Sequence, residues 1–289
     1  MLRPMSEPFG LALKDGAILC QFCPRGCRLH LGATGRCGAL ENEACRLTPV
    51  RPAGSFRVKT VAADQTGLYR FRDQTLVLRV ESDGSCLEVA SPDGAGDGAP
   101  RLSPEEVVFV ARAWGAGGIY LSSEDPVFDV GEGREILERA KAAGLVTALA
   151  TTGYLLPRTR EIVLERVDTV NLRIWSLTQG FYAKRFGARI EPILATAEWL
   201  ASRRDIAVEV TVPVLPGEND APAELSRLVH WIGRTFGPEV PIHVEPGESG
   251  LWPEVVQGAS EVMRASRLRP VAKTRRRRSA APALPVAAH

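Results

Sequence analysis

The chain has 289 residues, 45% of them hydrophobic and 24% charged, with a formal net charge of +2. That suffices for one sizeable core plus a small appended module. No segment approaches the ~18 to 20 consecutive apolar residues of a membrane-spanning helix, and six cysteines, four in metal spacing, read better as reduced ligands than as an extracellular disulfide framework; a cytoplasmic protein is expected.

The first element is a cysteine module. Cys20, Cys23, Cys27 and Cys37 stand in the pattern C-x2-C-x3-C-x9-C. Such spacings set thiolates on one tight turn where they meet a single ion, and the fourth returns after a short loop. Gly26, Gly32, Gly35 and Gly38 supply the turns. Arg25, Arg28 and Arg36 lie between the sulfurs and are expected to lower thiolate pKa and offset the charge of a four-sulfur site. Soft sulfur ligation suits zinc or an iron–sulfur cluster, and spacing does not choose between them. Four unrelated cysteines, or two disulfides, are the alternatives. His30 is either a substitute ligand or a solvated loop residue. Cys45 and Cys86 lie apart and show no pairing pattern.

Pro49 to Gly54 reads as a connector, after which strand and helix alternate. Thr75 to Glu81 is a β-branched and aliphatic strand. Ser103-Pro104-Glu105-Glu106 gives an N-cap, a proline at the first helical position and acidic residues in the first turn, opening a helix to about Trp114. A strand over Gly118–Ser122 follows, then a helix over Glu132–Ala143 closed by Gly144, and a strand over Leu145–Thr151. Helices are expected over Pro157–Arg166, Pro192–Arg203 and Ala221–Phe236, with strands over Thr169–Ile174, Ala207–Val214 and Val240–Glu245. Six such units predict a parallel sheet covered by crossover helices, as an open doubly wound sheet or a partial barrel. In either, chemistry gathers beyond the carboxyl ends of the strands.

Lys273 and Arg275 to Arg278 carry five positive charges, which leaves the rest of the chain at +2 less 5, or −3. With the Ala/Pro stretch from Ser279 to His289, this reads as a solvated, disordered tail. Electrostatic contact with RNA, a membrane or an acidic partner through Arg275 to Arg278 is the alternative.

Several segments carry a resemblance: CQFCPRGCRLHLGATGRCGALEN, LSPEEVV, GIYLSSEDPVF, LATTGYLLP, TVNLRIWS, FYAKRFGAR, EVTVPVLPGENDAPAEL and VPIHVEP. In this order they resemble radical-SAM proteins similar to pyruvate formate-lyase activating enzyme, particularly the subgroup with an amino-terminal cysteine module described alongside the Memo and AMMECR1 proteins. The resemblance covers residues 20 to about 246. It implies an α/β fold: a partial (β/α)6 radical-SAM-like barrel over residues 55–250, preceded by a small cysteine-rich metal-binding module and connector over 1–54 and followed by an extension over 251–289.

Family members carry C-x3-C-x2-C in the loop after the first strand, where three thiolates hold a [4Fe-4S] cluster whose open iron chelates S-adenosylmethionine. Here Cys86 stands at the first position, Ala90 at the second and Asp93 at the third. Alanine cannot ligate, and a cluster held by one thiolate and one carboxylate is labile. The Cys20, Cys23, Cys27 triplet runs in the reverse order and precedes the barrel. Asp125-Pro126 stands where the family has Glu-Pro, with Glu124 beside it, so a carboxylate able to meet a ligand amino group persists. Thr152 replaces an asparagine, and Asn171 and Arg173 replace an aspartate and a lysine; Arg for Lys is not neutral at a close contact. The resemblance thus implies Cys86, Glu124, Asp125, Thr152, Arg173 and His243 as the cofactor-binding set. Three functions stay open: a degenerate radical-SAM protein that binds a ligand or protein partner, an active enzyme with an unconventional cluster, and a non-radical binder of S-adenosylmethionine or a nucleoside.

Overall fold

The computed structural model describes residues 9–50, 57–71, 73–81, 86–87, 102–123, 125 and 130–246. The cysteine module is two small antiparallel sheets: β1 (Gly10–Ala12), β2 (Ile18–Cys20) and β3 (Arg28–Leu29) in one, and the hairpin of β4 (Leu40–Glu43) and β5 (Arg46–Pro49) in the other. Ala44 and Cys45 turn the hairpin with φ of 49° and 60°, the left-handed pair that a two-residue connection requires. Buried Asn42 joins the two sheets, its amide donating to the carbonyls of Gly16 at 3.0 Å and Leu29 at 2.9 Å.

The rest is built on one seven-stranded sheet. In chain order its elements are β6 (Arg57–Ala62), two short 3-10 helices (Ala63–Thr66 and Tyr69–Phe71), β7 (Leu76–Glu81), α1 (Pro104–Ala113), β8 (Gly118–Leu121), α2 (Val130–Ala142), β9 (Val146–Thr151) and α3 (Pro157–Leu164). Then come β10 (Thr169–Arg173), α4 (Gln179–Phe186), α5 (Glu191–Ser202), β11 (Ala207–Val214), α6 (Pro222–Phe236) and β12 (Ile242–Pro246). Strands β7 to β12 are parallel neighbours in sequence order, and β6 adds antiparallel to β7 at the edge. The sheet is curled into a half-barrel, the partial radical-SAM-type barrel that the resemblance implies.

The expected strands and helices are found within a few residues of their ends, and α1 has the capping box that Ser103 and Glu106 foretell. Among the strands of the large sheet and the α-helices that cover it, two lie outside that reading. Strand β6 makes the sheet seven-stranded and mixed, and α4 forms inside the FYAKRF segment, where Tyr182 and Phe186 stack at i,i+4 with ring centroids 5.9 Å apart and Gly187 ends the helix at φ 56°. The tail from 247 onward, with its basic run, lies outside the described residues.

Period-two alternation divides the strands between two environments. Leu78, Val80, Ile119, Leu121, Leu149, Val170, Leu172, Val210, Val212 and Ile242 belong to the main core. Helix α6 meets that core through Leu225, Leu228, Val229 and Ile232, one stripe of a 3.6-residue period. On the concave face, Val77, Tyr120, Ala148 and Ala150 pack with Ala63, Leu68 and Phe71 of the 3-10 segment, which fills that end of the half-barrel. The packing leaves no room at Gly118: a Cβ there would stand 2.5 Å from the Phe71 ring and 2.7 Å from the Val146 carbonyl oxygen. Gly118→Ala is therefore expected to cost about 1 to 3 kcal/mol by overpacking, read as a lowered urea midpoint at unchanged m-value. Among the described residues no helix is long and apolar enough to cross a membrane.

Candidate functional site

The module sits against the carboxyl ends of β7 and β9 and the end of α4. Leu156 N–H donates to the Phe22 carbonyl at 3.3 Å, and Thr159 Oγ1 to that of Gln21 at 3.2 Å. Arg25 makes the densest contact. Its Nε donates to Cys86 O at 2.9 Å, its Nη2 to Leu87 O at 2.9 Å and Phe186 O at 2.8 Å, and its Nη1 to Gly187 O at 3.4 Å. The guanidinium also lies 5.8 Å from the centroid of the Tyr154 ring. One planar fork thus ties the loop after β7 to the end of α4.

Asp125 is the second fastening point. Its fully buried carboxylate accepts on Oδ1 from Thr151 Oγ1 at 2.8 Å and Thr152 N at 2.9 Å, and on Oδ2 from Cys86 N at 2.9 Å and Thr152 Oγ1 at 2.8 Å. Burial pushes this carboxyl above the ordinary range, and the Cys86, Thr152 and Thr151 donors draw it back down. A carboxylate from the β8 end thus joins the chain after β7 to the chain after β9.

Cys86 is 1% exposed. The neighbouring Cys23 side chain and burial hold Cys86 well above the usual thiol range, while Cys86 and Arg25 hold Cys23 below it. Cys37 lies close enough to both sulfurs, and Cys20 to that of Cys23, to feel their charge. Burial pushes Cys20 up to about 12 and raises Cys37 as well. The arginine expectation therefore holds at one thiol: Arg25 helps to lower Cys23, whereas desolvation dominates at Cys20 and Cys37, and Arg28 is engaged with Asp15 at 2.5 Å. Cys27 is half-buried, and Cys45 and His30 are exposed. Cys86, which lies apart in the sequence, is brought against the module by the fold, 63 positions after Cys23 and bonded through its carbonyl to Arg25. Among the described residues, no three His, Cys, Asp or Glu side chains stand in a geometry that holds a metal ion.

A separate polar system lines the concave face. Thr211 Oγ1 donates to Asn171 Oδ1 at 2.7 Å, and Asn171 Nδ2 donates to Tyr120 Oη at 2.9 Å. Arg79 lies 5.9 Å from the Tyr120 ring centroid and 3.0 Å from Glu81; Arg173 is 2.6 Å from Glu245. Deeper, His243 Nε2 is 2.6 Å from Glu209 Oε2. The Glu209 carboxylate also accepts from the backbone N–H groups of Tyr69 and Arg70 at 2.8 Å each, which explains a carboxylate in a strand otherwise apolar. His243 Nδ1 is buried without a hydrogen-bond partner.

Of the sequence-predicted residues, Cys86, Asp125 and Thr152 come together at the strand ends and bond to one another. Arg173 and His243 lie on the concave face, each beside a carboxylate. Cys20, Cys23, Cys27 and Cys37 lie in the amino-terminal module, whose Arg25 reaches the Cys86 carbonyl. Glu124 and the loop positions Ala90 and Asp93 lie outside the described residues. Sequence reasoning missed Tyr120, Glu209, Thr211 and Arg79. Their signal was a polar side chain at every second place in strands whose intervening residues are aliphatic.

No protein-family model matches the chain. It is 28% identical over 242 residues to an uncharacterized protein of Methanocaldococcus jannaschii, covering 80% of this chain and 71% of that protein. It is 28% identical over 119 residues to the choline trimethylamine-lyase activating enzyme of Oleidesulfovibrio alaskensis, covering 40% of this chain and 37% of the enzyme. Among solved structures, a radical SAM methyltransferase from Sphaerobacter thermophilus superposes with a TM-score of 0.50 at 14% identity, covering 69% of this chain and 66% of the other.

Proposed function

We propose that this chain, similar to the radical-SAM family of pyruvate formate-lyase activating enzyme, is a degenerate member that binds a metal at its amino-terminal module and acts by binding a ligand or a protein, without conventional radical chemistry. The observation that carries the reading is the setting of Cys86. It is the only cysteine between residues 50 and 289. Its backbone is held by Asp125 and by Arg25, two residues after Cys23.

The family's cofactors do not fit the barrel loop by itself. A [4Fe-4S] cluster with one open iron takes three thiolates, and the motif positions here hold Cys86, Ala90 and Asp93. Asp125 stands where a carboxylate would meet the amino group of S-adenosylmethionine, yet four donors already occupy it. Without an open iron, a nucleoside or S-adenosylmethionine would rest on stacking and hydrogen bonds alone. The concave face, with Tyr120, Arg173 and His243, offers such contacts to a small polar ligand. A protein partner is the companion proposal, since the curated relative is by name an activator of another enzyme. The module's thiols, soft and gathered in one place, suit zinc or an iron–sulfur group.

One observation favours a second reading, an active enzyme with an unconventional cluster: Arg25 bonds Cys86 O at 2.9 Å and so brings the segment that carries Cys23 beside the barrel cysteine. A single experiment separates the two. After anaerobic reconstitution with iron and sulfide and reduction with dithionite, the protein is expected to release no 5′-deoxyadenosine from S-adenosylmethionine. Catalytic release that disappears in Cys86→Ala would overturn the degenerate reading and establish the second.

A further inference from the structure

We propose that His243 is a hydrogen-bond acceptor for a ligand on the concave face, held in that role by Glu209, and that the ligand presents a hydroxyl or an ammonium group to its Nδ1. This rests on the reading that the concave face takes a small polar ligand, and goes beyond it by naming the chemistry that the ligand must offer.

The place of the ring proton follows from Glu209. Its carboxylate already accepts from the backbone N–H groups of Tyr69 and Arg70 at 2.8 Å each. A carboxylate only accepts, so the 2.6 Å contact with His243 Nε2 puts the imidazole proton on Nε2. In the neutral ring Nδ1 is then a bare lone pair. It is buried and meets no donor among the described residues. The charged ring would instead bury a cationic N–H without an acceptor, which is costlier than an unmet lone pair. Anchoring the 3-10 segment needs only the Glu209 oxygens, and a residue that merely covered them would need no second ring nitrogen.

The lone pair belongs to a larger polar surface. Register sets His243 opposite Thr211 and Thr211 opposite Arg173, one row across β12, β11 and β10. Neighbouring strands are about 4.8 Å apart, so the row is roughly 10 Å long, the span of a small molecule with polar groups at both ends. Thr211 gives its proton to Asn171 Oδ1 and keeps acceptor capacity beside His243. The side chains become more exposed toward the carboxyl ends of the strands, from 4% and 3% at Glu209 and His243 to 17% and 25% at Arg173 and Glu245. Charge decides what the row accepts. Arg79 and Arg173 each meet a carboxylate, Glu81 at 3.0 Å and Glu245 at 2.6 Å, while Glu209 stands directly behind the imidazole. An anion placed at Nδ1 would face acceptors and a like charge, whereas a neutral or cationic donor meets the lone pair.

The test uses the full chain at neutral pH with isotope-labelled histidine and tyrosine. Nitrogen shifts of the imidazole report which ring nitrogen carries the proton, and intermolecular NOEs report what lies beside it. The chain has four histidines. His243 is identified by the signals lost in His243→Gln or, if that variant fails to fold, by elimination with His30→Gln, His230→Gln and His289→Gln. The probes are ethane-1,2-diol, ethanolamine and acetate, each titrated to molar concentration so that mass action fills a weak site. The expected result is an unprotonated Nδ1 whose shift moves with diol or ethanolamine, with NOEs from the probe methylenes to His243 Hε1, and no response to acetate. A response to the diol identifies a hydroxyl ligand, and one to ethanolamine alone identifies an ammonium. A protonated Nδ1, or NOEs from acetate to Hε1, overturns the proposal. NOEs to the Tyr120 ring with none at His243 overturn it too, and leave the concave face standing as a ligand site. Silence at both residues with every probe overturns both, and assigns Nδ1 to buried water.

Discussion

Asp125→Ala is expected to lower the unfolding free energy by about 3 to 5 kcal/mol, the range for removing one partner from a buried charged network. The carboxylate has no exposure. It is the common acceptor for two backbone N–H groups and two threonine hydroxyls from the chain after β7 and around the end of β9. Truncation leaves those donors buried with no acceptor and opens a cavity between three strand ends. Asp125→Asn is expected to recover only part of the loss, because its NH2 would face N–H donors where an oxygen is needed. Burial raises the folded carboxyl above its unfolded value, so the proton is bound more tightly in the folded state. The stability linked to this titration is fullest below the unfolded value near 3.8 and is lost as pH rises through the folded one. The Ala variant lacks that dependence. Thermal and urea unfolding of both variants across pH 3 to 8 checks the ranking and the slope. A loss under ~1 kcal/mol would mean that water or loop movement satisfies the donors.

Asp125 also shows how far the sequence could be read. Its place after the second expected strand was evident, and the resemblance gave it a carboxylate's role toward a ligand amino group. The carboxylate instead bonds to the chain around it, and that could not be read, because its partners Cys86, Thr151 and Thr152 are 26 to 39 residues away. Strand order and the covering helices were readable since each follows from local periodicity and from short right-handed crossovers. Strand β6 was not, as six residues of mixed burial between a connector and two short 3-10 turns carry a weak signal. The spacing of Cys20, Cys23, Cys27 and Cys37 announced a thiol group, and its meeting with Cys86 was hidden for the same reason as the Asp125 network: a contact across 63 residues leaves no periodic trace. The concave-face chain of Thr211, Asn171 and Tyr120 is intermediate. Each residue breaks an aliphatic strand at the right parity, and only the sheet's register brings the three into line.

Arg25→Ala is the second large effect, at about 2 to 3 kcal/mol. Hydrogen bonds from a charged donor contribute about 1.5 to 3 kcal/mol each where shielded; the half-buried position of Arg25 and the strength of water as a competing partner hold the total near the value of one such bond. The contact with Tyr154 adds a fraction of a kcal/mol. Arg25→Lys is expected to restore little. A lysine ammonium is a compact donor at the end of a flexible stem and cannot span Cys86 O and Leu87 O on one side and Phe186 O on the other, as the planar guanidinium does. The loss should be local before it is global, since the contacts removed all lie between the module and the barrel. Limited proteolysis of Arg25→Ala is therefore expected to release the amino-terminal module at denaturant concentrations where the sheet is still folded, while the Lys variant behaves like the Ala variant. Wild-type protease resistance in Arg25→Ala would show that the module is seated by its apolar contacts alone, with Phe9, Phe22 and Leu29 buried in the shared core as the groups responsible.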